Sequence, residues 1–122
     1  MTRALIVDDE EDMRFLVRTV IEAANNGLEV AGEAADGDAA IAYWRAERPE
    51  VVVLDHRMPG LSGLEVAERI LAESPEQRII LFSAYLDPET TAEATRVGVD
   101  LCLAKSDYSR LPEALWRLAP PA

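Results

Sequence analysis

The chain has 122 residues, which is enough for one domain with a substantial core. Its 12 Lys and Arg against 23 Asp and Glu give a formal net charge of −11, which argues against direct binding of nucleic acid or of an anionic membrane by this domain. Because Cys102 is the only cysteine, an intrachain disulfide is excluded. With no long apolar run and no leader segment, the sequence predicts a cytoplasmic protein that does not contact a membrane.

The first half of the chain alternates short apolar runs with amphipathic stretches. The first run ends in carboxylates, at Asp8 and Asp9. Apolar residues then recur every three or four positions from Met13 to Ala24, which is the pattern of a helix with one buried face. Strands are predicted over residues 3–7 and 28–33, and helices over residues 13–24 and 36–48.

The central apolar run is Val51–Leu54, whose four residues have no polar alternation, and this predicts a strand buried on both faces. This run stops at Asp55, and Met58-Pro59-Gly60 follows as a turn. Ser62 and Glu65 then form a capping box that begins a helix. Ligands of parallel α/β sheets bind at the C-terminal ends of strands, so Asp55 lies where it can react.

The second half continues the alternation of strand and helix. A fourth apolar run ends at Ser83 and a fifth at Lys105, while Asp87-Pro88 begins a helix that Gly98 ends. The last four residues, 119–122, are predicted to be a tail or linker stub. Strands are predicted over residues 51–54, 78–82 and 101–104, and helices over residues 64–74, 87–97 and 110–118.

This alternation predicts an α/β domain with a flavodoxin-like, doubly wound sheet of five parallel strands in the order 2-1-3-4-5 and helices on both faces. The C-terminal ends of the strands then bring together five polar side chains, which are Asp8, Asp9, Asp55, Ser83 and Lys105. Three carboxylates at one point favour a divalent cation with oxygen ligands, and Mg²⁺ fits. The chemistry predicted is phosphoryl transfer, with Asp55 as nucleophile and Lys105 and Ser83 contacting phosphoryl oxygens.

The joint spacing of these residues resembles the receiver domain of bacterial two-component response regulators, over about residues 3–118. The resemblance is carried by Asp8-Asp9, Asp55-x-x-Met58-Pro59-Gly60-x-x-Gly63, Ser83-Ala84 and Lys105. It implies a receiver domain over residues 1–118 that accepts a phosphoryl group on Asp55 from a sensor histidine kinase or a phosphotransfer protein.

The resemblance also implies a metal site, a catalytic role and an interaction face. Mg²⁺ would bind Asp9, Asp55 and the backbone carbonyl of Arg57, with Asp8 reached through water. The chain would catalyse only its own phosphorylation and dephosphorylation, so it would not be an enzyme acting on an external substrate. A homodimer partner or an output domain, including one that regulates transcription, would bind the face formed by helix 4, strand 5 and helix 5.

Two positions depart from the pattern of this family. Cys102 stands where an aromatic residue usually precedes the lysine by three positions, which removes the usual ring from the switch. Ser106 stands where proline usually follows the lysine. Because a cis peptide costs about 2.5–4 kcal/mol before a non-proline residue, the Lys105–Ser106 bond is predicted to be trans.

Other interpretations of the same residues stay open at this point. A degenerate receiver would keep the pocket but act as an interaction module independent of phosphorylation. A hydrolase with an aspartyl-phosphate nucleophile usually carries a second Asp two positions later, where this chain has Arg57. His56 is expected to point into solvent, and Trp44 and Trp116 are expected to pack against the core.

Overall fold

The computed structural model describes residues 1–121, in which strands and helices alternate as the sequence predicts. Every predicted element is present, and its ends differ by no more than two residues from the prediction. The strands are β1 (Thr2–Val7), β2 (Leu28–Ala34), β3 (Val51–Leu54), β4 (Arg78–Ser83) and β5 (Leu101–Ala104). The α-helices are α1 (Glu11–Ala24), α2 (Gly37–Glu47), α3 (Gly63–Glu73), α4 (Pro88–Val97) and α5 (Leu111–Leu118), and a 3₁₀ helix that was not predicted spans Lys105–Arg110.

The five strands form one parallel sheet in the order β2-β1-β3-β4-β5, which confirms the predicted topology. The register aligns the strand ends, since Val7 lies beside Leu54 and Ser83 lies beside Ala104. The residues that follow β1 and β3 therefore emerge at the same level of the sheet.

Successive residues of the central strands alternate between two buried layers. On one face, Val52 and Leu54 pack with α2 and α3 through residues such as Trp44 and Ile70. On the other, Val51 and Val53 join the cluster that the sheet forms with α1 and α5. All four residues of β3 are buried, as the uninterrupted apolar run predicted.

The fourth helix is the least buried of the α-helices, because Ala94 is its one buried residue. Ala94 belongs to a small third cluster with Leu64 and Leu81, against which Cys102 packs. Trp44 is fully buried, as predicted for a packing residue. The same prediction is wrong for Trp116, which is 47% exposed because it lies on the outer side of α5.

The C-terminal end of the chain returns to the start of the sheet. The hydroxyl of Thr2 donates a hydrogen bond to the carbonyl of Ala119, where the predicted tail begins. Ala122, the last residue of that tail, lies outside the described residues. The Lys105–Ser106 peptide is trans, as predicted. Within residues 1–121, the helices are all too short or too polar to cross a lipid bilayer.

Candidate functional site

Asp55 and Asp8 lie side by side at the C-terminal edge of the sheet. Each is held through its backbone, since the N–H of Asp55 donates to the Val7 carbonyl at 2.9 Å and the N–H of Asp8 donates to the Ala34 carbonyl at 3.1 Å. Their exposed fractions are 5% and 2%. Two carboxylates are thus fixed in a place that water barely reaches, which is costly unless a cation is present.

Lys105 supplies one such cation. Its ammonium nitrogen lies 2.8 Å from Oδ2 of Asp8 and 3.3 Å from Oδ2 of Asp55. The side chain is 9% exposed, and the exposed Glu10 lies 3.9 Å away at the rim. The ammonium therefore bridges the two buried carboxylates, which places Lys105 where the sequence predicted it.

A third carboxylate, that of Asp9, completes the cluster. One oxygen from each of Asp8, Asp9 and Asp55 lies within 4.8 Å of the other two. Asp9 is exposed, so the cluster is open to solvent on one side. With Lys105 as the one nearby ammonium against three carboxylates, the site keeps a negative charge that a divalent cation can balance. Carboxylate oxygens with room for water are the ligands that Mg²⁺ prefers, so these residues fit that ion.

The surroundings of Asp55 and Lys105 raise the pKa of both groups, for different reasons. Burial raises the pKa of Asp55, and the charge of Asp8 raises it further, although Lys105 acts in the opposite direction. Burial alone would lower the pKa of Lys105, but the hydrogen bond to Asp8 and the charges of both carboxylates outweigh it and the pKa is raised. Lys105 is therefore charged at neutral pH, while ionised Asp55 is destabilised by its surroundings.

We expect Asp55→Asn to increase the free energy of unfolding at neutral pH by about 1 kcal/mol, because it removes a buried negative charge beside Asp8. An acid with a raised pKa stabilises the fold below its unfolded pKa, and that contribution is lost as pH rises through the folded pKa. The gain from Asn should therefore be small in acid and grow with pH. Urea unfolding from pH 4 to 8 without divalent cations measures it.

The control for this experiment is Glu76→Gln, which makes the same chemical change in an exposed turn. Its free energy of unfolding should stay within about 0.5 kcal/mol of the wild type, as is usual for an exposed substitution. A stability difference between Asp55→Asn and the wild type that is independent of pH would contradict the raised pKa.

The hydroxyl of Ser83 is buried beside the β4–α4 loop. It donates to the carbonyl of Tyr85 at 3.2 Å and accepts from the Tyr85 N–H at 3.4 Å. The loop that follows Asp55 faces this one, because the guanidinium carbon of Arg57 lies 5.3 Å from the centre of the Tyr85 ring. Tyr85 is 60% exposed. The two side chains thus form a cation–π pair at the outer side of the site.

The side chain of His56 does not point freely into solvent, so that expectation is wrong. Its Nδ1 atom is buried and has no hydrogen-bond partner among the described residues. Leu64 of α3 and Asp87, which caps α4, line the same groove as His56. Burial and the charge of Arg57 lower the pKa of His56, so it is neutral at pH 7.

The start of α3 fixes the loop that follows the central strand. The Glu65 N–H donates to the Ser62 hydroxyl at 3.2 Å, and the Ser62 N–H donates to Oε1 of Glu65 at 2.9 Å. The predicted capping box is therefore present. The N–H of Gly63 donates to the His56 carbonyl at 2.8 Å. A Cβ at position 63 would overlap the carbonyl oxygen of Asp55, so only glycine allows this contact.

Comparisons with known proteins agree with this geometry. The family model of the response regulator receiver domain matches residues 4–115. Protein CcdB of Bacillus subtilis is 34% identical over 97% of this chain and 98% of its own length. The chemotaxis protein CheY of Thermotoga maritima is 35% identical over 93% of each chain. The crystal structure of the response regulator TrrA of Thermotoga maritima, in complex with Mg²⁺ and BeF, is 33% identical with a TM-score of 0.84, covering 97% of this chain and 99% of that one.

Proposed function

The chain belongs to the response regulator receiver domain family, and we propose from this premise that Asp55 is its phosphoacceptor. The observation that carries the proposal is the position of Asp55 at the end of the central strand, with Asp8 and Asp9 within 4.8 Å and Lys105 at 3.3 Å. Intact-mass measurement after incubation with acetyl phosphate and Mg²⁺ tests it directly.

In the proposed reaction, a carboxylate oxygen of Asp55 attacks the phosphorus of a phosphohistidine. The new O–P bond makes an acyl phosphate, and the N–P bond breaks with its electron pair returning to the imidazole, which takes up a proton. Lys105 and Ser83 contact the phosphoryl oxygens and stabilise their charge. Attack by water on the same phosphorus later breaks the acyl O–P bond, which restores the carboxylate and releases inorganic phosphate.

The proposed cofactor is Mg²⁺. Asp9, Asp55 and the backbone carbonyl of Arg57 are its proposed protein ligands, and Asp8 would be reached through water. Mg²⁺ bound there would neutralise negative charge on the phosphoryl group that Asp55 receives. The open, acidic cluster of two buried carboxylates and one exposed carboxylate supports this assignment, as does the complex of TrrA with Mg²⁺ and BeF.

We propose that the phosphoryl donor is a sensor histidine kinase or a phosphotransfer protein. The face formed by α4, β5 and α5 is the proposed contact for an output domain or a second copy. It carries the exposed Leu101, beside a groove of about 260 Å³ that Leu103, Ala114 and Leu118 also line. The net charge of −11 is the reason to exclude direct contact of this domain with nucleic acid.

Receiver domains are signalling modules, and we propose that this chain catalyses only its own phosphorylation and dephosphorylation. The degenerate alternative is not supported, because all three carboxylates and Lys105 are present and lie together. The small side chain of Cys102 packs beside Leu81 and Ala94. We therefore propose that activation proceeds without the movement of an aromatic ring at this position.

The Arg57–Tyr85 pair should lengthen the lifetime of the phosphorylated state. Arg57 follows Asp55 by two positions, and Tyr85 follows Ser83 by two positions. Their side chains contact each other on the solvent side of the site, where they would hinder a water molecule that approaches the phosphorus. We expect Arg57→Ala combined with Tyr85→Ala to increase the rate of phosphoaspartate hydrolysis several-fold. Decay of the phosphorylated mass after removal of the phosphodonor measures this rate.

The chain offers a matched control for this pair. Arg48 lies 4.1 Å from the ring of Trp44, so Arg48→Ala also removes an arginine from an aromatic ring, but in the loop before β3. The phosphoaspartate of Arg48→Ala should decay at the same rate as that of the wild type. Equal rates in the double variant and the wild type would show that the pair does not shield the acyl phosphate.

A further inference from the structure

Arg14, near the start of α1, contacts the backbone of the site. Its Nη1 donates a hydrogen bond of 2.8 Å to the backbone carbonyl of Asp8, and its Nε lies 3.2 Å from Oε1 of Glu33 on β2. The side chain is 16% exposed, so it is held between the helix and the sheet. A guanidinium can make both contacts at once because its donors diverge in one plane.

The Asp8 carbonyl belongs to the peptide unit that leads into Asp9. Because that unit is planar, fixing the oxygen also fixes the plane from which the Asp9 Cα and side chain extend. The side chain of Glu10, the N-cap of α1, makes no capping hydrogen bond. The segment is instead held by Arg14 and by the Glu10 N–H, which donates to Oδ1 of Asp8 at 2.9 Å.

We propose that Arg14 is a positioning residue that holds Asp8 and Asp9 in the geometry that binds Mg²⁺. This inference rests on the proposed function, since it assigns a role at the same site. Arg14 does not contact the reacting atoms and acts through the Asp8–Asp9 peptide. Its contact with Glu33 ties that peptide to β2, on the side of the sheet away from Lys105 and β5.

The neighbouring Arg18 provides a matched control. It lies on the same helix and pairs with the same Glu33 carboxylate, at 2.7 Å, but its hydrogen bonds go to Glu33 and Glu22. Arg14→Met and Arg18→Met thus remove the same charge and an ion pair with the same partner. They differ in that only Arg14 bonds to the Asp8 carbonyl and only Arg18 also pairs with the exposed Glu22.

The direction of the change in Mg²⁺ affinity distinguishes a positioning role of Arg14 from a purely electrostatic one. Loss of a cation near three carboxylates would by itself strengthen the binding of a dication. If Arg14 positions the site, Arg14→Met should instead weaken Mg²⁺ binding, by about tenfold or more as is common for groups that orient metal ligands. Arg18→Met should bind as tightly as the wild type or more tightly.

The experiment is a titration of the full chain with Mg²⁺, followed by amide chemical shifts, together with hydrogen exchange of the Asp9 and Glu10 amides in the metal-free protein. We expect weaker Mg²⁺ binding and faster exchange in Arg14→Met only, with a partial return in Arg14→Lys, which keeps one donor and the charge. Unchanged or tighter binding in Arg14→Met, or equal exchange in the two Met variants, would overturn the proposal.

If the wild type itself fails to bind Mg²⁺, the proposed metal site fails, and the metal-free exchange rates alone decide the role of Arg14. If Arg14→Met does not fold, Arg14→Lys and Arg18→Lys form the matched pair.

Discussion

Asp55→Asn should abolish the incorporation of a phosphoryl group from acetyl phosphate. The amide of asparagine has nearly the shape of the carboxylate but no anionic oxygen to attack phosphorus, so the expected effect is complete loss. Intact mass should rise by one phosphoryl group in the wild type with Mg²⁺ present and stay constant in the variant. Chelation of Mg²⁺ should also suppress the rise in the wild type.

Asp38→Asn is the matched control, because it makes the same change on the exposed surface of α2. This variant should be labelled at the wild-type rate. Digestion and mapping of the wild-type product should place the phosphoryl group on the peptide that contains Asp55. Incorporation that survives in Asp55→Asn would disprove the assignment, and labelling that is unchanged by a chelator would disprove the role of the metal.

The fold and the centre of the site were predictable for a shared physical reason. Each apolar run that reads as a buried strand stops at a polar residue, and parallel strands in register bring those residues to one edge. Val7 pairs with Leu54, so Asp8 and Asp55 emerge together. Lys105 reaches them because it directly follows β5.

The contacts that support the site were not predictable, because they join side chains to backbone atoms of other elements. Arg14 falls on a helix where any surface residue would fit the pattern, and its hydrogen bond to the Asp8 carbonyl depends on the path of the chain. Gln77 makes comparable contacts at the opposite, N-terminal edge of the sheet, where it accepts from the Trp44 indole at 2.8 Å and donates to the Pro49 carbonyl at 3.1 Å. Periodicity describes faces and ends of elements, whereas such contacts need the assembled geometry.

The edge strand β2 also has an irregularity that was not predicted. The register shifts by one residue between Ala4 and Leu5, which pair with Val30 and Gly32, so Ala31 is the extra residue of a bulge. The hydroxyl of Tyr43 donates to the Ala31 carbonyl. The sequence does carry a signal here, because an isolated glycine inside a strand, such as Gly32, often marks a bulge. Its exact place still depends on the partner strand.

Gly63→Ala should displace the backbone that carries Asp55. A Cβ at this position would overlap the carbonyl oxygen of Asp55 and lie 2.7 Å from the Cα of His56. Both are backbone atoms, so relief requires the segment that carries Asp55 to move away from α3. We expect a loss of about 1–3 kcal/mol in the free energy of unfolding, as for overpacked sites. The displaced nucleophile should also reduce the rate of phosphoryl incorporation, on the order of 100-fold.

Gly60→Ala separates this displacement from a general loss of stability. Gly60 has a φ of 78° and no atom within 4 Å of an added Cβ, so alanine there strains the backbone without meeting a neighbour. The expected cost is about 1–2 kcal/mol, similar to that of Gly63→Ala. Because nothing pushes on Asp55, the labelling rate of Gly60→Ala should stay near that of the wild type. Equal losses of labelling in the two variants, measured by intact mass under conditions where both are folded, would show that the contact of Gly63 with the Asp55 backbone does not set the position of the nucleophile.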